Sequence, residues 1–229
     1  MSLDQTLDMS LTDLKSINKT FQNAVNKKNE TFLVVNPMGA HSLAVGIEVS
    51  INIRIDGHVG YYCGGMNENA NITISGNAGV GVAENMMGGS IIVKGNASQS
   101  AGASAHGGLL VIEGNASSRC GISMKGINIV VKGSVGHNSA FMAQSGNLVI
   151  CGDADDGLGD SIYETKIFLK GKIKNLGSDC VEKEMKDEHI KILSKLLSDS
   201  GINENPYHFR RYGSGRKLYN FDVKNIDAY

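Results

Sequence analysis

Four carboxylates crowd into the nine residues Gly152-Asp153-Ala154-Asp155-Asp156-Gly157-Leu158-Gly159-Asp160, and oxygen ligands at that density are what a calcium ion takes. The spacing is not that of an EF-hand. A nine-residue calcium β-roll needs the segment to recur, which it does not, so a solvated acidic turn is the remaining reading. Gly79-Val80-Gly81 and Gly157-Leu158-Gly159 have the bareness of a phosphate cradle. A dinucleotide fingerprint, however, follows a strand and opens a helix, whereas more turn residues follow these glycines. The histidines, His41, His58, His106, His137, His189 and His208, show no HxH or HExxH spacing, and neither a Ser-His-Asp nor a Cys-His arrangement can be read. Cys63, Cys120, Cys151 and Cys180 lack a CxxC spacing and read as small buried hydrophobes. The residue types that carry chemistry are present, but no catalytic, cofactor or metal constellation joins them.

What orders the chain is a repeat. Gly57, Gly76, Gly95, Gly114, Gly133, Gly152 and Gly171 stand nineteen residues apart. Four places before them come Ile53, Ile72, Ile91, Leu110, Ile129, Leu148 and Ile167, and two places before them Ile55, Ile74, Val93, Ile112, Val131, Ile150 and Leu169. Two aliphatic columns at a spacing of two share one face of a strand, and a unit this short buries that face only by stacking. Two places after the glycine, Val59, Ala78, Ala97, Ala116, Val135, Ala154 and Ile173 form a third apolar file, so the chain turns a corner at the glycine. We expect glycine there for its free access to positive φ. Seven places after it, Gly64, Ala83, Gly102, Gly121, Ala140, Gly159 and Ser178 mark a second tight bend. The pattern predicts an all-β, right-handed parallel β-helix of about seven coils over residues 46–180. A leucine-rich repeat lacks support, since neither LxxLxL nor an asparagine ladder is evident.

Residues 1–45 and 181–229 flank these coils. Leu11, Leu14, Ile17, Phe21 and Val25 predict a helix over 11–27, opened by Ser10, and Thr31–Val35 an atypical first rung. Ile190, Ile192, Leu193, Leu196 and Leu197 predict a second helix over about 187–200, stopped by Gly201. Helices at both ends fit as plugs over open coil edges. The last 25 residues concentrate aromatic residues and arginines, including Arg210, Arg211 and Tyr212, and predict an arm that packs on the coils or on a partner. The outward positions three before the glycines include Ile92, Val111, Val130, Val149 and Phe168, an apolar stripe opposite the core. Either the terminal helices or another subunit must cover it. With Arg210, Arg211 and Tyr212 it is the expected partner interface, where a charge at Val130 would weaken assembly more than folding.

The totals narrow the function. Twenty-two basic against 23 acidic residues give a net charge of −1, which offers nucleic acid no electrostatic hold. With no apolar run of membrane-spanning length and no leader-like start, the expectation is a cytoplasmic protein without a membrane span. The outward positions just before the glycines, Asp56, Ser75, Lys94, Glu113, Lys132, Cys151 and Lys170, alternate in sign, unlike the carboxylate groove of a carbohydrate-active β-helix.

Specific segments punctuate this framework: Asn36-Pro37 and His41-Ser42-Leu43 before the coils, then Gly57-His58-Val59-Gly60-Tyr61-Tyr62-Cys63-Gly64-Gly65, Glu84-Asn85-Met86-Met87, Gly102-Ala103-Ser104-Ala105-His106-Gly107-Gly108, Arg119-Cys120-Gly121-Ile122-Ser123, Ala140-Phe141-Met142-Ala143-Gln144, the acidic segment at 152–160, Phe209-Arg210-Arg211 and Lys217-Leu218-Tyr219. Together they resemble the GXGXG β-helix family, the C-terminal domain of glutamate synthase large subunits and its stand-alone versions. The resemblance implies a scaffold subunit without catalytic residues or cofactors of its own. FMN and iron–sulfur centres would belong to its partners, a class II glutamine amidotransferase subunit and an FMN-dependent synthase subunit. The same fold occurs in the β-helix subunit of formylmethanofuran dehydrogenase-type complexes, the alternative assignment. A free-standing carbohydrate-active β-helix is a weaker one. Self-association is a further expectation for the isolated chain.

Overall fold

The computed structural model describes residues 3–25 and 29–216. Strands β1 (Gln5–Asp8) and β2 (Thr31–Val35) precede seven that recur with the glycines: β3 (Asn52–Asp56), β4 (Asn71–Ile74), β5 (Ser90–Val93), β6 (Leu109–Ile112), β7 (Lys125–Val131), β8 (Ser145–Ile150) and β9 (Lys166–Leu169). All nine pair in parallel, each with the next. Ile53 lies against Ile72, then Ile91, Leu110, Ile129, Leu148 and Ile167 in turn. Both aliphatic columns are at most 1% exposed. Each such side chain contributes about 1.5–3 kcal/mol relative to exposure, more than the net of a typical hydrogen bond. The file from Val59 to Ile173 is stitched by isolated parallel bridges between successive coils. The architecture is the expected parallel β-helix with two short helices.

The corner glycines are explained differently from expectation. Among the seven, Gly57 alone has a positive φ, of 139°. At the others the limit is space, because glycines stack on glycines: a Cβ at Gly76 would stand 2.6 Å from the Gly57 carbonyl, and one at Gly133 2.6 Å from the Gly114 oxygen. Left-handed backbone belongs to the second bend. Gly64, Ala83, Gly102, Gly121, Ala140 and Gly159 all have φ between 57° and 70°. Residues two before and two after them are left-handed as well, as at Tyr62 and Met66 around Gly64. This alternation aims successive N–H groups at opposite neighbours: Tyr62 N–H donates forward to the Val80 carbonyl, Gly64 N–H back to Leu43, and Met66 N–H forward to Glu84. The resulting inter-coil ladder offsets a left-handed strain of about 1–2 kcal/mol at each non-glycine position.

The ends close in two ways. Helix α1 (Leu14–Gln22) is shorter than the predicted 11–27, because its N-cap is Asp13, whose carboxylate accepts from Ser16 N–H, and Leu11 and Val25 lie outside it, exposed. Its buried Phe21 meets Phe32 edge-on at 5.5 Å, and Asn18 bonds both the Ser42 carbonyl and Ala44 N–H, so α1 does cap the first coil. β1 is a rung that the periodicity does not announce, and β2 sets Phe32 against Ile53, two residues beyond the repeat. At the other end, among the described residues, strands rather than a helix close the last coil. β11 (Arg210–Ser214) lies antiparallel on β9, and β10 (Cys180–Lys183) antiparallel on β11. Helix α2 (Asp187–Asp199) lies along the outside of the sheet.

Candidate functional site

The apolar stripe is where the sequence calls for either a terminal helix or a partner as cover, and the structure places this chain's own helix there. Leu193, Leu196 and Leu197 of α2, followed by Ile202 and Phe209, close with Val111, Val130, Val149, Cys151 and Phe168 into a second hydrophobic core. Val111, Val130, Val149 and Phe168 are at most 1% exposed, and Ile92 sits half-buried at the margin. The expected docking stripe is therefore internal. The three arm residues are engaged too. The Tyr212 ring is buried, with Arg210 over it at 5.8 Å, while Arg210 donates to the Gly171 carbonyl and Arg211 to that of Glu184. They help to close the last coil. Lys217-Leu218-Tyr219 and the aromatic residues beyond lie outside the described residues.

The polar side chains at the corners hold neighbouring coils. Asn77 N–H donates to His58 Nδ1, Asn96 N–H to Asn77 Oδ1, Asn115 N–H to Asn96 Oδ1 and Ser134 N–H to Asn115 Oδ1, each at 2.8 Å. The ladder continues from Asp153 N–H to Ser134 Oγ and from Lys172 N–H to Asp153 Oδ1. An asparagine ladder is thus present after all. Its signal was the Gly-Asn pair at 76–77, 95–96 and 114–115.

The acidic segment has the same role. Asp155 pairs with Lys174 at 3.0 Å, and that partner holds its carboxyl below the usual range, while Asp156 accepts from Asn175. Among the described residues no group of three or more His, Cys, Asp or Glu is arranged to hold a metal ion. All four thiols are free and buried, and burial pushes Cys63 and Cys120 up to about 12. A thiol with that pKa is not ionised at neutral pH and is a poor nucleophile. His189 is buried at the start of α2, where its Nδ1 accepts from Lys186 N–H, and burial with the Arg211 charge lowers its pKa.

The left-handed bend forms the other outer face of the coil. Among the described residues α1 meets it on the first coil, at Ser42, Ala44 and Val45, and on the coils that follow Tyr61, Met66, Val80 and Met87 are exposed there. His41 stacks on Tyr61 with ring centres 4.1 Å apart. No helix among the described residues is long and apolar enough to cross a membrane.

With this geometry in view, comparison with known proteins is direct. Over 225 residues, 97% of this chain and 99% of the relative, the sequence is 53% identical to Protein GlxC of Rhizobium meliloti (strain 1021). The chain belongs to the GlxC family. No family model matches it. Because the match to GlxC takes in nearly all of both chains, it runs through the coils and through the α2 and β11 segments that cover them.

Proposed function

We propose that this GlxC-family chain is a non-catalytic scaffold subunit of a glutamate synthase-like complex, in which partners hydrolyse glutamine and reductively aminate 2-oxoglutarate. One observation carries the proposal: the side chains best suited to chemistry are engaged in holding coil to coil, as with Asp153, Asp155, Asp156, His58 and the asparagine ladder. The resemblance to the GXGXG β-helix supplies the identity of the complex. The GlxC relative, matched over 99% of its own length, is likewise a chain of this extent. FMN and iron–sulfur centres then reside on the partners, an amidotransferase subunit and an FMN-dependent synthase subunit.

Affinity purification of the tagged chain from its source organism tests this. Recovery with an amidotransferase and a flavoprotein, and glutamine-dependent glutamate formation by that complex alone, is the expected result. Recovery with a molybdenum or tungsten enzyme would move the chain to the formylmethanofuran dehydrogenase assignment. Stoichiometric flavin or glutaminase turnover in the isolated chain would defeat the scaffold role.

A further inference from the structure

With the stripe buried under α2, the left-handed face of the early coils is an apolar surface left exposed among the described residues. Among the described residues, four of the twelve exposed large apolar side chains, Tyr61, Met66, Val80 and Met87, lie there on two successive coils, with Met38 exposed on the coil before. The surface is built in advance. A Cβ at Gly65 would stand 2.5 Å from the Tyr62 ring, which therefore lies over that glycine. A Cβ at Gly60 would strike the His41 ring, and one at Gly81 would stand 2.6 Å from the Glu84 carboxylate. Bare backbone thus seats an aromatic ring, an imidazole and a carboxylate against the coil.

Within residues 30–93 the charge around this patch has one sign, while Lys15 and Lys19 stand on α1 beside the first coil. Glu48, Glu68 and Glu84 are on these coils, with no ion-pair partner among the described residues, and the one cation of residues 30–93, Arg54, is on the sheet side. Two coils further on the sign reverses, since Arg119 occupies the repeat position of Tyr62 and Lys125 that of Glu68. Coils about 4.8 Å apart make three coils a band about 10–15 Å high, the width of one α-helix. Methionines adapt to irregular partners, and unpaired carboxylates at a rim select cations.

We infer that the left-handed face centred on Tyr61, Met66, Val80 and Met87 and rimmed by Glu48, Glu68 and Glu84 docks an apolar segment of a partner subunit flanked by Lys or Arg. The inference rests on the scaffold reading and names where the scaffold is gripped.

The test uses the full chain with the purified amidotransferase and flavin-barrel subunits of the same organism as probes, followed by sedimentation at low and high salt. Two independent pairs alter the patch, Glu68→Lys with Glu84→Lys and Tyr61→Ser with Met87→Ser. Arg119→Glu with Lys125→Glu is the control, and melting temperatures report folding for each. One subunit is expected to bind, at least tenfold more weakly to either patch variant, with less than a twofold change in the control and a loss of affinity at high salt. A complex that forms equally well with both folded patch variants overturns the surface and leaves the scaffold reading standing. Failure of both subunits to bind the unaltered chain removes the surface and the scaffold reading together. A dimer of this chain that the patch variants dissolve would make a second copy the occupant, and that also overturns the inference.

Discussion

The sheet side of each coil and its left-handed side share one nineteen-residue repeat, yet they restrict sequence differently. On the sheet side, backbone is ordinary β structure, and what varies is the outward residue, from Arg54 and Thr73 to Val130 and Phe168. That variation decides which strands α2 covers. On the left-handed side the backbone itself is the restriction, so Gly64, Ala83, Gly102, Gly121 and Ala140 alternate between two small residues, while the outward positions carry tyrosine, methionine and charge. The first side is closed over its later strands by α2, and the second, among the described residues, is left open beyond the first coil that α1 meets.

The sharpest way to break this contrast is at Gly121, where φ is 68° and a new Cβ would stand 3.0 Å from Met124 Sδ and 3.3 Å from Ile129 Cδ1. Gly121→Val combines a β-branched side chain in the left-handed region with overpacking, and should cost about 4–5 kcal/mol or abolish folding. Gly121→Ala should cost only about 1–2 kcal/mol, since alanine holds the same position at Ala83 and Ala140. Equal urea midpoints for the two variants would break the assignment.

Next in size is Val130→Asp. A charge under α2 has no partner in that apolar cluster, so the expected loss is about 3–4 kcal/mol of folding stability, seen in the isolated chain without any partner. Loss of assembly with unchanged folding would return the stripe to the role of a docking face. The ladder supplies a smaller effect. Asn96→Ala removes the acceptor for Asn115 N–H, and a loss of about 1–2 kcal/mol in thermal unfolding is expected, against none for an exposed asparagine outside the ladder.

The smallest effect is one of pH. Folded His189 holds its ring neutral, with a pKa below the usual value of about 6.5. As pH falls below that value the unfolded chain takes up a proton that the folded chain resists. Stability from this site is therefore complete above about pH 6.5 and declines as pH falls toward the folded pKa. Comparing urea midpoints at pH 7.5 and 5.5, His189→Gln should lose less on acidification than the unaltered chain. An identical loss would assign the decline to other groups.

The coil was legible because a period of two inside a period of nineteen has few physical solutions, and the register of Ile53 with Ile72 or Val131 with Ile150 was visible from spacing alone. The reason for the corner glycines was not. Close stacking and positive φ both exclude side chains, and a column of glycines cannot distinguish them. Where α2 lies was half legible, since the apolar stripe left a terminal helix and another subunit as alternative covers and the amphipathic pattern of Ile190 to Leu197 names a buried face but not the surface that buries it. β1 escaped notice because four residues, Gln5–Asp8, carry no repeat. Of the exposed patch, Tyr61 and Met87 were present only within segments of a resemblance and Met66 not at all, for want of a rule linking left-handed turns to side-chain direction.

Titration of the purified amidotransferase and synthase subunits with this chain tests the scaffold role most directly. Glutamine-dependent amination of 2-oxoglutarate should rise from near zero and level off at a fixed stoichiometry, with no glutamine turnover by the chain alone. Full activity of the partners without it, or turnover by the chain in their absence, would contradict the account.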